Sequence, residues 1–164
     1  MPRSATKAAN NPFYIARREA AKHNDRLWSR EGAEEEMGID RTRLAKIESG
    51  ALTPYPEEVW LMSQTYNAPQ LCNQFCSREC PLGRETIPPC DLLELDRLTV
   101  EVMAAMRKAG FTEETILDIA EDGAITQEEV PRLQKAAESL EAMEKASVAL
   151  RLWISKYIEQ ETRK

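Results

Sequence analysis

Residues 27–67 of the chain read LWSREGAEEEMGIDRTRLAKIESGALTPYPEEVWLMSQTYN. The stretch contains two short segments, each of which opens on a good helix N-cap and closes on a glycine. Ser29 and Gly38 bound the first segment, and Asp40 and Gly50 bound the second. A turn of three or four residues that contains glycine, between helices this short, is typical of a helix-turn-helix.

The composition of the chain favours helices. Its 164 residues are 42% hydrophobic and 30% charged, which is ordinary for a globular protein, and only 6% are aromatic. Ala, Glu, Leu, Lys and Arg are plentiful, and these residue types favour helix over sheet. We therefore expect an all-α fold.

Apolar residues spaced by three or four positions predict further helices on both sides of this stretch. The predicted helices are 12–24, 29–37, 40–49, 57–66, 91–109, 112–122 and Thr126 to about Gln160. Gly110 is expected to end the fifth helix, and Thr112 is expected to cap the sixth. Two stripes are expected to be buried, one at Leu92, Leu95, Leu98, Val102 and Met106, the other at Val130, Leu133, Ala137, Leu140, Met143, Ala146, Leu150, Trp153 and Tyr157.

Four segments follow from these patterns. Residues 1–11 are polar and lack the apolar segment of a secretory signal, and we expect a disordered tail there. The helix-turn-helix is expected to lie in a domain at 12–69. Residues 70–90 hold all four cysteines, three prolines and a glycine, and we interpret them as a Cys/Pro-rich linker. Residues 91–164 are expected to form a helical region for dimerisation or regulation.

The order and spacing of residues in the opening stretch resemble the XRE family of phage-repressor-like helix-turn-helix proteins. The matching positions are Ser29, Ala33, Gly38, Ile39, Leu44, Ile47, Glu48, Ser49, Gly50, Pro54 or Pro56, and the amphipathic helix that ends at Tyr66. Two positions depart from the family pattern: Glu34 stands in place of Ala, and Asp40 replaces a Ser. The resemblance implies an N-terminal repressor-like domain. The apolar pattern of the later helices predicts that a long-helix C-terminal bundle or coiled-coil segment follows it.

The resemblance also implies which residues contact DNA. In such proteins the second helix of the motif lies in the major groove, where its N-terminal residues reach base edges. The DNA-binding residues implied here are Arg30, Arg41, Thr42, Arg43, Lys46 and Ser49, with Arg30 near a phosphate or supporting Arg41. Glu48 resembles a structural glutamate of the family that pairs with an arginine of the first helix, and Arg18 is the candidate partner.

The charge of the chain is unevenly distributed. Residues 1–50 carry ten Lys/Arg and eight Asp/Glu, a net charge of +2, whereas residues 51–164 carry twelve and twenty, a net charge of −8. Because salt screens phosphate attraction within about 8 Å, a net acidic protein can still bind DNA through one basic face. The DNA contacts are therefore expected in the N-terminal part.

The four cysteines form a C-x3-C-x3-C-x9-C pattern at Cys72, Cys76, Cys80 and Cys90. Four thiols suit a tetrahedral zinc ion or an iron–sulfur cluster, although the spacing is not the common C-x2-C knuckle. On one straight helix Cys72 and Cys80 would lie about 12 Å apart, too far to share one zinc. Free buried thiols and a redox pair are the other interpretations, and no cofactor is expected to be required.

Two functions remain open on the sequence. The first is sequence-specific binding of double-stranded DNA by a homodimeric transcriptional regulator that dimerises through residues 126–160, with repression favoured over activation. The alternative is a protein-interaction module on a helix-turn-helix scaffold that no longer reads DNA, which the acidic run Glu34–Glu36 favours somewhat. An enzyme is not expected, because the chain has no phosphate loop and its single histidine, His23, has no catalytic partner set. No apolar run approaches the roughly 20 residues that span a bilayer, and we expect a cytoplasmic protein.

Overall fold

The structure is a computed structural model that describes residues 8–120 and 125–158. Within these residues the regular elements are helices and there is no strand, which confirms the all-α class. In chain order they are α1 (Pro12–Ala20), a 3₁₀ helix (Asp25–Trp28), α2 (Arg30–Met37), α3 (Arg41–Glu48), α4 (Pro56–Thr65), α5 (Gln70–Arg78), α6 (Pro81–Thr86), α7 (Leu95–Ala120) and α8 (Val130–Tyr157). The chain divides into two compact units, Met1–Pro89 and Cys90–Lys164. None of the described helices is both long enough and apolar enough to cross a membrane.

α2 and α3 begin and end where the sequence predicts. The Ser29 hydroxyl accepts a hydrogen bond from the amide of Gly32 at 2.9 Å, and the Asp40 carboxylate accepts one from the amide of Thr42 at 2.9 Å. These bonds satisfy amides that have no partner in the first turn of a helix. Gly38 ends α2 with a φ of 73°, a left-handed conformation that glycine adopts without steric cost.

The helices of the first unit surround one hydrophobic core. Its most completely buried large side chains are Leu27, Leu44, Ile47, Val59, Met62, Tyr66 and Leu71. Leu44 and Ile47 of α3, with Ile39 from the preceding turn, belong to this core. Because α3 buries this face, its opposite face is left to solvent.

α1 is shorter than predicted. It ends at Ala20 rather than at residue 24, and the chain turns before the 3₁₀ helix. The Asn24 side chain caps that short helix by accepting a hydrogen bond from the amide of Arg26 at 3.2 Å. The polar residues near 24 therefore separate two elements instead of extending α1.

Residues 8–11, predicted as part of the N-terminal tail, instead pack against the first unit. Ala8 is buried, and the Asn11 side chain caps α1 by accepting from the amide of Phe13 at 2.9 Å. The same side chain donates to the carbonyl of Ile47 at 2.9 Å. This one polar residue therefore ties the segment before α1 to α3. Residues 1–7 lie outside the described part of the chain.

Most of residues 70–90, predicted as a linker, instead fold into two helices of the first unit, α5 and α6. α5 carries Leu71 and Phe75 four residues apart, and both are buried in the core. Pro81 lies in the first turn of α6, where a residue without an amide hydrogen is tolerated. The prolines and cysteines favoured a loop, but the apolar pair anchors the segment as helix.

The second unit is a helical hairpin. α7 and α8 run in opposite directions, since Thr112 lies beside Ser139 and Ala105 lies beside Ala146. α7 does not end at Gly110, so the two helices predicted at 91–109 and 112–122 are one. Thr112 is buried, and its hydroxyl donates to the carbonyl of Lys108 at 3.2 Å instead of capping a new helix. Continuous packing along α8 outweighs the roughly 1 kcal/mol that glycine costs inside a helix.

Small residues form much of the interface between α7 and α8. The buried residues are Leu98, Ala105, Thr112 and Ile119 on α7, and Ala136, Ser139, Ala146 and Ala149 on α8. Of the predicted stripes, Leu98 and Ala146 are buried, whereas Leu95, Met106, Val130, Ala137, Leu140, Leu150 and Tyr157 are exposed. α8 carries apolar residues on more than one face, and the smaller ones pack on α7 because they let the two backbones approach closely. The larger ones are left outside the hairpin.

Candidate nucleic-acid interface

One face of α3 is exposed along the length of the helix. Arg41, Thr42, Lys46 and Ser49 are all exposed, and their spacing of one, four and three residues puts them on one side of the helix. These are four of the six residues that the sequence implied as DNA contacts. The other two, Arg30 and Arg43, are less exposed and are paired with the carboxylates of Glu48 and Glu58.

A buried ion pair joins α1 to α3 beneath this face. Arg17 Nε lies 2.6 Å from Glu48 Oε1 and Arg17 Nη2 lies 3.1 Å from Glu48 Oε2, with 3% and 1% of the two side chains exposed. Arg17 Nη1 donates to the carbonyls of Leu27 and Trp28 at 2.7 and 3.2 Å. The prediction that Arg18 pairs with Glu48 is therefore wrong, because Arg18 lies outside the buried face of α1. The bidentate geometry compensates two charges that are almost completely removed from water.

Glu48 also holds a second arginine. Arg30 Nε lies 2.7 Å from Glu48 Oε2, and 37% of the Arg30 side chain is exposed. One buried carboxylate thus orients a buried and a surface guanidinium, which leaves one positive charge uncompensated. Burial lowers the pKa of the Arg17 guanidinium. The hydrogen bond and the charge of Glu48 together raise this pKa by more than burial lowers it, so the net shift is upward.

A cation–π pair borders the exposed face of α3. The guanidinium carbon of Arg18 lies 4.1 Å from the ring centroid of Trp28, whose side chain is 44% exposed. An open cleft of about 720 Å³ lies between α1, α2 and α3. Its lining includes Arg18, Trp28, Ser29, Arg30, Glu31, Arg41, Thr42 and Ser49. The cleft therefore presents three arginines at its surface against one carboxylate.

That carboxylate, Glu31, pairs with Arg41. Arg41 Nη1 lies 3.2 Å from Glu31 Oε1, and the side chains of Arg41 and Glu31 are 59% and 62% exposed respectively. A hydrogen bond from its own backbone amide at the start of α2 lowers the pKa of Glu31, and the charge of Arg41 lowers it further. Ion pairs this exposed contribute little to stability, so Arg41 can exchange Glu31 for another anion at small cost.

Arg43 lies in a different environment from Arg41. Its Nε and Nη2 both contact the Glu58 carboxylate, with Nη2 2.8 Å from Oε2, and its guanidinium carbon lies 4.4 Å from the ring centroid of Tyr55. The hydrogen bond from Arg43 lowers the pKa of Glu58, although burial opposes the shift. Arg43 therefore links α3 to the start of α4, and its guanidinium is already bound by Glu58.

Lys46 is the most available cation on α3. It is exposed, and no carboxylate pairs with it within the described residues. Ser49, one turn further on, donates its hydroxyl to the carbonyl of Lys46 at 3.0 Å and is itself exposed. The C-terminal half of the α3 face thus carries an unneutralised charge.

The acidic run of α2 is partly neutralised by the 3₁₀ helix. Arg26 Nη1 lies 3.8 Å from Glu35 and 3.5 Å from Glu36. Neither carboxylate lines the cleft, and Glu34 is partly buried. The negative charge that weighed against DNA binding in the sequence is therefore partly neutralised by Arg26.

Sequence reasoning missed Arg17, although the helical phase of α1 contains the signal. Phe13 and Ala21 lie four residues on either side of Arg17, and both are buried. Residues four apart share one helix face, so this spacing selects Arg17 and leaves Arg18 off that face. No comparable sequence signal identifies Trp28 as the stacking partner of Arg18.

The cysteines do not form a metal centre among the described residues, which contain no group of three His, Cys, Asp or Glu side chains suited to hold an ion. Cys72, Cys76 and Cys80 are half-buried against the core, and Cys90 is buried in the second unit. Burial raises the pKa of the Cys76 thiol, and the neighbouring thiols raise it further. These thiols thus resemble small apolar side chains, and metal binding stays a prediction.

Comparisons of the chain with protein-family models, with curated proteins and with solved structures found no match.

Proposed function

We propose that this chain binds double-stranded DNA and acts as a transcriptional regulator. In this proposal α2 and α3 are the helix-turn-helix of an N-terminal repressor-like domain, and α3 enters the major groove. The observation that carries it is the row of Arg41, Thr42, Lys46 and Ser49 on the exposed face of a short helix whose other face is buried in the core. Recognition helices of this class read bases from such a face.

The residues of that row have donors suited to base edges and phosphates. Arg41 can donate two hydrogen bonds to the O6 and N7 atoms of guanine, and Thr42 can serve a base or a phosphate. Lys46 supplies a point charge for a phosphate or a guanine. Arg41 leaves an exposed ion pair with Glu31 to do so, which costs little.

The cleft beside α3 provides sites for the DNA backbone. Arg30 is oriented by the buried carboxylate of Glu48, and Arg18 is oriented by the ring of Trp28. Because both guanidinium groups are held before binding, they lose little conformational entropy when they meet a phosphate. The cleft also includes Ser29 at the N-terminus of α2, a position where backbone amides favour an anion.

The second unit supports the proposal that the regulator is a homodimer. Its exposed large apolar residues are Leu95, Val100, Met103, Met106, Ile116, Leu117, Ile125, Val130, Leu140, Leu150, Tyr157 and Ile158. Monomeric proteins rarely expose so much apolar surface, and a second hairpin would cover it in a four-helix bundle. Two-fold symmetry would then match two DNA half-sites. Repression is the simpler outcome, since occupying an operator requires no contact with another protein.

The experiment is selection of duplexes from a random-sequence pool with the full chain, followed by fluorescence anisotropy at several salt concentrations. We expect one enriched sequence, and an affinity that falls steeply as salt rises. Arg41→Ala should weaken binding to that sequence by about 1–3 kcal/mol and relax the preference at one base pair. Lys46→Gln should lower the slope of log affinity against log salt by about 1.

Lys22→Gln is the matched control, because Lys22 is an exposed lysine of the same unit that does not line the cleft. It should leave both affinity and salt slope unchanged. Equal slopes for Lys46→Gln and Lys22→Gln would contradict the placement of α3 in the groove. Absence of any salt-dependent DNA binding would favour the protein-interaction alternative over the whole proposal.

A further inference from the structure

A cavity of about 460 Å³ lies between α7 and α8 and is open to solvent on the side where Lys108, Arg132 and Lys135 are exposed. Its lining includes Lys108, Thr112 and Thr115 from α7, and Arg132, Lys135 and Ser139 from α8. Ligand pockets for small molecules have volumes of roughly 300–1,000 Å³, so the cavity is large enough for one. The side chains that surround it are cations and hydroxyls rather than large apolar groups.

The charge of the cavity is opposite to that of the unit that contains it. Residues 90–164 carry ten Lys/Arg and sixteen Asp/Glu, a net charge of −6, whereas the cavity gathers three cations beside one carboxylate, Glu138. Within the described residues no ion pair engages Lys108 or Lys135. Arg132 alone is paired, with Asp118 at 2.6 Å. Two unneutralised cations therefore face one space in an otherwise acidic unit.

Ser139 gives a second, independent indication of a ligand. Only 8% of Ser139 is exposed, and its buried hydroxyl oxygen has no hydrogen-bond partner among the described residues. A buried hydroxyl without a partner costs about 1–3 kcal/mol, so native proteins rarely leave one. Because Ser139 lines the cavity, an acceptor oxygen bound there would receive its hydrogen bond.

We propose that this cavity binds a small organic phosphate. A phosphate monoester carries about −1.5 to −2 charges at neutral pH, which matches the two unpaired lysines. Lys108 and Lys135 neutralise the phosphate, Ser139 donates a hydrogen bond to it, and the organic part occupies the remaining volume beside Ala136. This inference does not depend on DNA binding, because all of its residues belong to the second unit.

The test is isothermal titration calorimetry of the full chain with ribose 5-phosphate, inorganic phosphate and ribose, at constant ionic strength. We expect saturable binding of ribose 5-phosphate with one site per chain, weaker binding of inorganic phosphate, and no heat from ribose. Lys135→Gln and Lys108→Gln should each weaken the binding of ribose 5-phosphate at least tenfold, because each removes a charge that faces the phosphate.

Ser139→Ala separates a binding role from a structural one. This substitution should weaken the binding of ribose 5-phosphate several-fold. The protein without ligand should melt at the same or a higher temperature, since an unsatisfied hydroxyl has been removed. Arg151→Gln is the matched control: Arg151 is exposed on the same helix, 16 residues or about 24 Å beyond Lys135, and should change binding less than twofold.

Three results would overturn the proposal. They are the absence of saturable binding of ribose 5-phosphate, an equal loss of affinity in Lys135→Gln and Arg151→Gln, and equally tight binding of inorganic phosphate to all variants. The last would indicate general attraction of anions to surface charge. None of these results bears on DNA affinity, which is measured separately.

Discussion

Glu48 is bonded to two guanidinium groups while only 1% of its side chain is exposed. Removing a carboxylate from water costs several kcal/mol, and the arginines offset this cost only while their geometry is kept. Loss of one partner from such a buried group strongly destabilises the folded state. The intact group itself adds little stability compared with apolar residues of similar size. Glu48 fixes the orientation of Arg30 and the position of α3 against α1.

Replacement of Arg17 tests this account at the level of one residue. Arg17→Met should lower the free energy of unfolding by about 3 kcal/mol, because it leaves Glu48 buried with a single, half-exposed partner. The double variant Arg17→Met/Glu48→Leu should recover most of that loss. Urea denaturation measures both, and a single variant within 0.5 kcal/mol of the parent would show that the pair is not buried as described.

The Arg43–Glu58 pair predicts a dependence of stability on pH. The pKa of Glu58 is lower in the folded state than its usual value of 4.5, first through the hydrogen bond from Arg43. The ionised carboxylate therefore stabilises the fold above about pH 4.5, and this contribution is lost as the pH falls through the lower, folded-state pKa. Unfolding free energies measured from pH 7 to pH 3 should fall less steeply in Glu58→Gln than in the parent. Identical profiles for the two proteins would mean that the pair contributes nothing.

Single elements differ in how well their sequences determine them. The limits of α2 and α3 are set by local contacts, the caps at Ser29 and Asp40 and the left-handed Gly38, and these were predicted correctly. Local signals failed where distant packing outweighs them. The segment 70–90 has the composition of a loop, yet the burial of apolar side chains makes α5 a helix.

The candidate site divides in the same way. Its exposed residues could be predicted from spacing, because helix periodicity alone selects one face. The partners of its charged residues could not, since Arg17 and Glu48 are 31 residues apart and Arg43 and Glu58 are 15 apart. A sequence shows which charges are present, whereas only the folded chain shows which of them are already neutralised.

Two glycines allow a matched test of helix packing. Gly110→Ala in α7 should raise the free energy of unfolding by about 0.5–1 kcal/mol, because the added methyl meets no atom within 4 Å and alanine is the better helix former. Gly32→Ala in α2 should be destabilising, because its methyl would lie 2.1 Å from the carbonyl oxygen of Arg26. Thermal unfolding of the two variants should therefore shift in opposite directions. A gain in both would contradict the close contact of α2 with the 3₁₀ helix.

On the scale of the whole molecule, charge is divided between the two units. The first unit carries as many basic as acidic residues and exposes Lys46 without an ion pair on α3, whereas the second carries a net charge of −6. Salt should therefore act on the two proposed associations in opposite ways. It weakens binding to phosphates, and it screens the repulsion between two acidic hairpins.

Sedimentation equilibrium at 0.1 and 0.5 M salt measures the second effect. We expect a dimer at micromolar concentration whose dissociation constant falls as salt rises. Leu140→Lys, on the exposed apolar surface of α8, should weaken the dimer at least tenfold, because a charge would be buried against a second hairpin. Leu82→Lys is the control, since Leu82 is an exposed leucine of the first unit. A parent protein that sediments as a monomer, or equal effects of the two substitutions, would overturn the proposed dimer.

The position of the Arg17–Glu48 pair has a further consequence, for the lifetime of the folded state. Closing a loop of 31 residues costs about 3 kcal/mol of chain entropy, and the two charges attract each other strongly only after water has left. The pair should therefore form after the folding transition state has been crossed. Stabilisation that appears this late slows unfolding and leaves the folding rate nearly unchanged. We therefore expect the contact between α1 and α3 to lengthen the lifetime of the folded chain, so that irreversible thermal inactivation is slower than its equilibrium stability alone suggests.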